Sequence, residues 1–367
     1  MKKAICGLIA FLCLISAVYA IPSGFLPVGV GAKYAGMGGA GAAIVDDISC
    51  AYFNPAGIVK TRGFGLELGG GAATEGLSDL NTLWGNVNDP AKFLSSNFDK
   101  NVDINGGVNL IMGLNVSKIG LSVIPAASLQ LRKTAGTIIG SYLLGNVVYD
   151  SALTLGYGFG LPGLPVSLDI GANLKSINYL TAQSIVNNAT SSSDYTYNQS
   201  GIGFDLGAKA GIDTPIVPIN CAIVMKDLGA TLKGKRTAIN TTYDTIGNII
   251  SQNKTETDMA DYTIPTTLVI AAATKIPVVG ILAALDIDSV SGGDITPYTL
   301  THLGFEYPIL GLFAIRAGLV SGGVNGNISQ TTFGAGLNMG VNANIAFVAD
   351  SKNSKNNQTV VDVGFGF

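Results

Sequence analysis

The sequence predicts an all-β protein, a transmembrane antiparallel β-barrel of about 14 strands with an N-terminal hatch or plug segment. Charged residues make up only 12% of the 367 residues, about half the usual share, and 49 residues are glycine. Mean hydropathy is +0.42, yet the sequence lacks an apolar run of about 18 residues, the length that a membrane-spanning helix requires. A closed barrel then remains as the architecture that satisfies every backbone polar group inside a membrane.

Composition also narrows the expected partners of the chain. The formal net charge of −3 provides no basic surface, so no nucleic-acid partner is expected. Outer-membrane lipid is the expected surrounding of an apolar barrel. Of the four cysteines, Cys50 and Cys221 lie outside the N-terminal apolar run, so one disulfide is possible. The cysteine and histidine spacings predict no metal site and no cofactor.

Residues 1–20 predict a signal peptide. Lys2 and Lys3 form a positive start, residues 4–17 form a short apolar run, and small residues precede the expected cleavage after Ala20. We therefore expect an exported chain that resides in the cell outer membrane. The alternative is a buried helix at the N-terminus.

The remaining chain alternates between apolar and polar residues with a period of two, as a β-strand with two different faces does. In 103–116, for example, aliphatic residues and methionine occupy one parity, and aspartate and asparagine the other. The segments 166–175, 202–213 and 281–288 follow the same pattern. A soluble sandwich would turn the polar parity to water, whereas a membrane barrel would turn it to the lumen. Alternation alone leaves both alternatives open.

Strand number and loop length favour the barrel. The pattern predicts fourteen strands, an even number, as single-chain bacterial barrels require. They are expected at 62–75, 102–116, 118–133, 147–161, 166–181, 196–213, 217–232, 260–276, 279–289, 299–308, 312–321, 331–340, 341–350 and 358–367. Short connectors alternate with longer polar ones, which predicts short periplasmic turns, long external loops and both termini in the periplasm. The expected long loops are 76–101, 134–146, 182–195, 233–259, 290–298, 322–330 and 351–357.

The last strand carries an expected assembly signal. Residues 361–367 alternate and contain Phe365 and Phe367, the last residue of the sequence. This pattern resembles the C-terminal end that outer-membrane barrels present to their assembly machinery. The barrel assembly machinery is therefore an expected partner, and the alternative is an ordinary strand at the end of the chain.

Residues 21–61 lack the strand pattern and are rich in glycine. The spacing of Gly36, Gly38 and Gly41 formally matches a dinucleotide-binding fingerprint, but no βαβ unit surrounds it, so nucleotide binding is not predicted. A compact glycine-rich segment before the first strand is better explained as a plug threaded into the lumen. The expected barrel then spans 62–367.

Six short motifs are spread over nearly the whole mature chain. They are 31–40 (GAKYAGMGGA), 46–47 (DD), 51–57 (AYFNPAG), 262–267 (YTIPTT), 301–307 (THLGFEY) and 315–318 (IRAG). Together they resemble the PorV/PorQ branch of the FadL-like outer-membrane proteins. The resemblance implies a fourteen-stranded barrel with an N-terminal hatch. In transporters of that family the hatch moves when a hydrophobic ligand binds and the ligand leaves sideways through the wall, whereas PorV serves type IX secretion as a cargo shuttle.

The resemblance also implies the residues of a hatch. The positions that match the Asn-Pro-Ala motif of the FadL hatch, together with the glycine that follows, are Asn54, Pro55, Ala56 and Gly57. Asp46 and Asp47 of the same segment are expected to pair with lumen cations. The alternative for the two aspartates is an ordinary pair at a turn or at the start of a helix.

The single histidine of the chain, His302, shares the inward parity of its strand with Glu306. If the following turn is symmetric about Leu310, Gly304 faces Arg316, and Arg316 lies diagonal to both His302 and Glu306. This register predicts a polar cluster in the lumen. The alternative is a set of structural charge pairs that hold the packed interior. A hydrolytic triad would need a nucleophile motif that the sequence lacks, so an enzyme is not expected.

The first external loop contains apolar residues at helical spacing. Leu80, Leu83, Trp84 and the later Phe93 are predicted to capture apolar ligands at the barrel mouth. The alternative is a loop helix that only caps the rim.

Two hypotheses for function follow. The first is passage of hydrophobic small molecules of the long-chain fatty acid type across the outer membrane. Loops 76–101 and 233–259 would capture the ligand, and the hatch at 31–57 would gate its passage. The second is a protein-interaction role in secretion or surface attachment, with secretion-system proteins as partners.

Overall fold

The computed structural model describes most of the chain after the N-terminal region. The described ranges are 29–61, 63–73, 99, 101–137, 139–160, 165–214, 217–246, 248–277, 279–352, 354 and 357–366. The expected signal peptide and the expected mouth and assembly residues Leu80, Leu83, Trp84, Phe93 and Phe367 lie outside these ranges. Among the described residues, no helix is both long enough and apolar enough to cross a membrane.

Strands dominate the fold. Two helical turns, α1 (Ala32–Ala35) and α2 (Cys50–Phe53), and a 3₁₀ helix (Pro55–Lys60) precede them, and a second 3₁₀ turn spans Val324–Gly326. The strands are β1 (Phe64–Ala73), β2 (Val102–Val116), β3 (Ile119–Lys133), β4 (Tyr142–Gly160), β5 (Val166–Asn188), β6 (Ser191–Ile212), β7 (Ile219–Leu228), β8 (Thr231–Tyr243), β9 (Ile249–Asp258), β10 (Tyr262–Thr263), β11 (Thr266–Lys275), β12 (Leu282–Ser291), β13 (Tyr298–Ile309), β14 (Phe313–Gly322), β15 (Ile328–Asn338), β16 (Val341–Asp350) and β17 (Gln358–Gly366).

Fourteen of these strands form a closed antiparallel ring. Strands β1 to β7 follow one another around the wall, β11 pairs with β7, and β11 to β17 complete the circuit. The ring closes because β1 pairs with both β2 and β17. Leu66, for example, lies opposite Leu114 on one side and Phe365 on the other. The predicted fourteen-stranded barrel is confirmed.

Two predicted loops and one predicted strand are wrong at the end of the barrel where the long loops were expected. Residues 182–195 are not a loop, because β5 and β6 continue through them to a two-residue turn. Residues 233–259 contain the hairpin of β8 and β9, which extends the sheet beside the first half of β6. The expected strand 260–276 is divided into β10 and β11 at Pro265, which has no N–H for a ladder. The part of the wall whose outward side chains are apolar is named the apolar belt. Outside this belt a strand needs no apolar face, so these threonine- and serine-rich segments pair without the alternation that identified the other strands.

The alternation turns apolar side chains outward and polar side chains inward. On β6, Ile202 and Phe204 are 60% and 51% exposed, whereas Asp205 is 2% exposed. On β5, Leu174 is exposed and its neighbour Asn173 is buried. This arrangement excludes the soluble sandwich, in which the polar parity would face water, and presents an apolar outer surface of the kind that faces lipid.

Cys50 and Cys221 lie on opposite sides of the barrel wall. Cys50 is fully buried in α2, whereas Cys221 points outward from β7 and is exposed. Both are free thiols. The disulfide that the sequence left open is therefore not formed, and the two side chains point to different sides of the wall.

Residues 29–61, which we name the lumenal segment, lie inside the ring. Met37 and the alanines that follow it pack against β7, β11 and β12. Ala32 and Ala35 of α1 pack against β13 to β17. The 3₁₀ helix contacts β4, β5 and β6. Because the lumenal segment touches strands on opposite sides of a closed ring, it occupies the lumen at this level.

Glycines on both surfaces allow the lumenal segment to approach the wall closely. A Cβ added at Gly318 of β14 would lie 2.2 Å from a backbone nitrogen of the segment, and one at Gly171 of β5 would lie 2.3 Å from the carbonyl carbon of Pro55. Within the segment, a Cβ at Gly57 would lie 2.6 Å from Val45 Cγ1. A side chain at any of these positions would force the segment away from its present place.

Candidate functional site

Wall side chains hold the lumenal segment by hydrogen bonds to its backbone. Asp286 of β12 accepts from the N–H groups of Gly41 and Ala42 at 2.9 and 2.8 Å. On another side of the ring, Asp362 of β17 accepts from Ala32 N–H at 2.5 Å. Both carboxylates are buried, so water competes little for these bonds. The segment is therefore fixed at separate points around the barrel.

The Asn-Pro-Ala motif lies where the lumenal segment turns toward β1. Asn54 is fully buried, its Oδ1 accepts from Ala56 N–H at 3.0 Å, and its Nδ2 donates to Ala42 O at 2.9 Å. The same Nδ2 lies 3.4 Å from Ala208 O on β6. Pro55 opens the 3₁₀ helix, where its missing N–H is tolerated. Asn54 thus joins two parts of the segment to each other and to the wall.

Asp46 and Asp47 pair with a lysine of their own segment. Lys33 Nζ lies 2.7 Å from Asp46 Oδ1 and 3.7 Å from Asp47 Oδ2. Asp47 also accepts from the Tyr34 hydroxyl at 2.8 Å and from Ser49 N–H at 3.0 Å. Burial raises the pKa of Asp47 above its ordinary value, although the Lys33 ammonium opposes this shift. The cation beside this pair therefore comes from the segment rather than from a wall strand.

The register of β13 and β14 corrects the predicted cluster of His302, Glu306 and Arg316. Leu310 and Gly311 both have positive φ, and the turn is centred on Gly311 rather than on Leu310. Glu306 therefore lies directly opposite Arg316, whose Nε donates to Glu306 Oε2 at 2.6 Å. His302 lies outside this pair, because Val320 is its partner across the ladder.

His302 instead contacts the lumenal segment. Its Nδ1 lies 2.8 Å from Gly38 O, and its Nε2 lies 3.8 Å from Asp288 Oδ2. A cavity of about 20 Å³, which we name the His302 cavity, is bordered by these side chains and by Tyr52 and Lys226. This space is enough for one water molecule.

A second polar network, which the sequence pattern does not reveal, links β5, β6 and β7. Lys175 Nζ lies 2.9 Å from Asp205 Oδ1 and also contacts Asp227. Asn173 donates to Asp205 Oδ2 and to Ala51 O, both at 2.8 Å, which ties the network to α2. Alternation places these side chains in the lumen, but their pairing depends on strand register, which alternation does not fix.

The hydrogen-bond ladder between β2 and β3 is interrupted, although the register is the same on both sides of the gap. Asn109 pairs with Ala126 and Met112 pairs with Val123. The two residues between these pairs on each strand, 110–111 of β2 and 124–125 of β3, form no ladder pair. Pro125 lies in this stretch of β3 and has no N–H to donate, whereas the ladder from β3 to β4 continues across it. We name this stretch the wall interruption. The proline inside a predicted strand is the signal from which it could have been found.

An apolar cluster of the lumenal segment lies directly behind the wall interruption. Its members from the segment are Val30, Tyr34, Val45, Cys50, Phe53 and Ile58. Ile111 of β2, only 1% exposed, belongs to the same cluster, and Ile124 of β3 packs against it. These two isoleucines are the residues of the unpaired stretch that touch the cluster. The wall interruption is therefore lined from inside by apolar and aromatic side chains.

A larger cavity of about 320 Å³ opens at the short-turn end of the barrel, where the turn at Gly311 borders it. Its charged lining residues are Lys33, Asp46, Asp47, Glu67, Glu306, Arg316 and Asp362. Five carboxylates thus face two cations, and we name this space the acidic cavity. The lumenal segment borders both cavities, through Lys33 at the acidic cavity and through Tyr52 at the His302 cavity.

Replacing Asp286 with alanine should loosen the lumenal segment without unfolding the barrel. The substitution leaves two buried N–H groups without their charged acceptor, so the local free energy of opening should fall by roughly 2 kcal/mol. Amide hydrogen exchange of peptides from 29–61 should then become about 30-fold faster. Asp213→Ala, in an exposed turn, is the control and should leave this exchange unchanged. Unchanged exchange in the Asp286 variant would show that this carboxylate does not hold the segment.

No protein-family model matches the chain, and no curated protein matches it. Solved structures share its fold. The CymD monoaromatic hydrocarbon channel is 15% identical, with 94% of this chain and 99% of that chain covered at a TM-score of 0.61. The Ralstonia pickettii toluene transporter TbuX is 12% identical, with 94% and 100% covered at a TM-score of 0.63. A Pseudomonas aeruginosa FadL homologue is 10% identical, with 95% and 99% covered at 0.55. The chain therefore has the fold of the FadL-like barrels.

Proposed function

We propose that this protein passes small hydrophobic molecules across the outer membrane, with the lumenal segment as a hatch and the wall interruption as a lateral exit. The observation that carries the proposal is the position of the apolar cluster directly behind the unpaired stretch of wall. The names of the solved channels with this fold, which refer to toluene and monoaromatic hydrocarbons, support the same class of cargo.

The proposed gate works by displacement of the lumenal segment. The segment occupies the lumen, so a ligand that enters from outside reaches the wall interruption only when part of the segment moves. Asn54 is the proposed hinge, because its side chain joins the Ala42 region to the 3₁₀ helix and to β6. Pro55, Ala56 and Gly57 would transmit the movement, and Asp46 and Asp47 would hold the closed state through Lys33.

Entry, export and assembly complete the proposal. Leu80, Leu83, Trp84 and Phe93 would capture ligand at the mouth. Residues 1–20 would direct export, with cleavage after Ala20. Phe365, which points outward and is 42% exposed, would act with Phe367 as the signal to the barrel assembly machinery. The proposed ligand is a fatty acid, as the resemblance to the FadL-like proteins implies, or an uncharged hydrocarbon, as the names of the solved channels suggest.

Mass spectrometry of the lipid extract from the detergent-purified barrel tests this function. An unrelated barrel purified in parallel from the same host is the control. We expect specific enrichment of an apolar small molecule with the present protein, and loss of that enrichment in a variant with Ile111→Asp, which places a charge in the apolar cluster. Equal extracts from the two wild-type barrels, together with no gain in cellular uptake of apolar molecules, would contradict the proposal.

Protein interaction in secretion or surface attachment is the second candidate function. The motifs that resemble the PorV/PorQ branch favour it, and so does the hairpin of β8 and β9. All ten residues of β9 are exposed, and the strand pairs only with β8 among the described strands, so its other edge is open. Cross-linking in cells tests this candidate. A stoichiometric protein partner bound through the hairpin would support it, and the absence of such a partner would argue for transport.

A further inference from the structure

We infer that the lumen selects uncharged apolar molecules, such as hydrocarbons and long-chain alcohols, against the anions of fatty acids. The inference rests on the proposed transport function and specifies its substrate class. Three features carry it. Among the described residues, the lumenal cations considered below are already engaged, carboxylates outnumber cations in both cavities, and the apolar cluster offers no counter-charge.

Lysine and arginine are the groups that a ligand carboxylate would need. Arg316 donates to Glu306 at 2.6 Å through Nε and is also bonded to Asn344 through Nη1. Lys33 lies 2.7 Å from Asp46, and Lys175 is held between two aspartates. A fatty acid anion would have to replace a protein carboxylate at each of these cations, so it gains little by binding there.

Three further described lysines of the lumenal side are also engaged. Lys60 lies 3.4 Å from Asp169, and Lys209 donates to Val45 O at 2.9 Å. Lys226 lies 4.8 Å from the centroid of a tyrosine ring of α2. Of these three lysines, only Lys226 is described by contact with an aromatic ring. Whether Lys226 can bind a ligand anion therefore depends on the charged groups near it.

The surroundings of Lys226 are negative rather than neutral. Asp286 and Asp288 share the His302 cavity with it. Asp286 Oδ1 is buried and has no hydrogen-bond partner among the described residues. The acidic cavity repeats this imbalance, with five carboxylates and two cations. At both places a ligand carboxylate would meet more carboxyl groups than cations, and like charges in such a site repel.

The route through the apolar cluster adds a second barrier to anions. An ionised carboxylate that crosses this cluster loses its water and finds no cation, which is far more costly than burying a hydroxyl or a methyl group. The rings of Tyr34 and Phe53, with centroids 4.7 Å apart, offer apolar faces to an uncharged ligand. The proposed exit therefore discriminates in the same direction as the two cavities.

Paired ligands of equal chain length test the inference. A Gram-negative host that lacks its own hydrophobic channel expresses the full chain, and uptake of radiolabelled 1-dodecanol and dodecanoate is measured at about pH 8, where the carboxylate is ionised. Cells with an empty vector give the blank. We expect faster uptake of 1-dodecanol, and channel-dependent uptake of dodecanoate that is slower by about tenfold or more. Equal acceleration of both ligands, or acceleration of dodecanoate alone, would overturn the selectivity but leave transport standing. No acceleration of either ligand would overturn the transport function itself.

The variant Asp288→Asn tests the electrostatic cause. It removes one of the two carboxylates that share the His302 cavity with Lys226. Uptake of dodecanoate should rise about threefold or more, while 1-dodecanol uptake shows that the variant is inserted and active. Glu256→Gln, on the exposed β9, changes the net charge equally and should leave dodecanoate uptake unchanged. No gain in Asp288→Asn, or an equal gain in both variants, would overturn the proposed cause.

Discussion

A disulfide between positions 54 and 207 should stop uptake of the apolar ligand, and reduction should restore it. The substitutions are Asn54→Cys and Gly207→Cys, in a protein whose own thiols are removed by Cys50→Ala and Cys221→Ala. The bond would fix the proposed hinge of the hatch to β6. Uptake of 1-dodecanol should therefore fall to the level of empty-vector cells under oxidising conditions.

The geometry suits this cross-link. A Cβ built at Gly207 lies 3.1 Å from Asn54 Cγ, the atom whose place a cysteine sulfur would take. In a disulfide the sulfur of one cysteine lies about 3 Å from the Cβ of the other. Pro55 Cδ, 2.9 Å from the new Cβ, must yield by a few tenths of an ångström. The pair is therefore close enough to form without a large backbone shift.

The same cells before and after addition of reductant provide the internal control, because both states carry identical substitutions. Asn54→Cys alone, in the same cysteine-free background, should take up ligand equally in both conditions. Peptide mass spectrometry confirms that the bond has formed. Full uptake through a completely cross-linked protein would show that ligand passes without movement of this hinge, and the hatch proposal would be wrong.

Alternation determines the barrel because lipid and a polar lumen impose different chemistry on the two faces of each strand. Inside the apolar belt, as in 202–213, apolar residues face outward and polar or small residues face the lumen at alternate positions. This alternation allowed fourteen strands to be counted from the sequence. Beyond the belt both faces of a strand meet water. Residues 182–195 and 233–259 then carry no alternation, and only the pairing of β5, β6, β8 and β9 distinguishes them from loops.

The candidate site was predicted less completely, because its contacts depend on register and on distant backbone atoms. Asn54 was found through a local motif. Asp286 was placed on the inward parity, but its partner Gly41 is 245 residues away and offers only a backbone N–H, which no sequence pattern marks. A turn centred one residue later than expected gave Arg316 the partner Glu306 and removed His302 from the cluster. Local chemistry is thus readable from sequence, whereas strand register has to come from the structure.

Replacing Pro125 with valine should close the wall interruption and slow uptake while keeping the barrel stable. Valine supplies the N–H that proline lacks and is well suited to a strand. One additional ladder hydrogen bond of about 1 kcal/mol would lower the population of the open wall, and uptake of 1-dodecanol should fall about fivefold. Thermal unfolding of the variant should occur at the same temperature or higher.

The combination of lower uptake and undiminished stability is what distinguishes closure of an exit from damage to the barrel. A variant that only misfolds would lose both. Pro308→Val is the matched control, because Pro308 lies in β13 where pairing with β14 is continuous, and uptake should not change. Normal uptake by Pro125→Val would move the exit elsewhere. The apolar cluster behind Ile111 would then be simple packing, and ligand would have to leave past the lumenal segment toward the acidic cavity, a polar route that suits apolar molecules poorly.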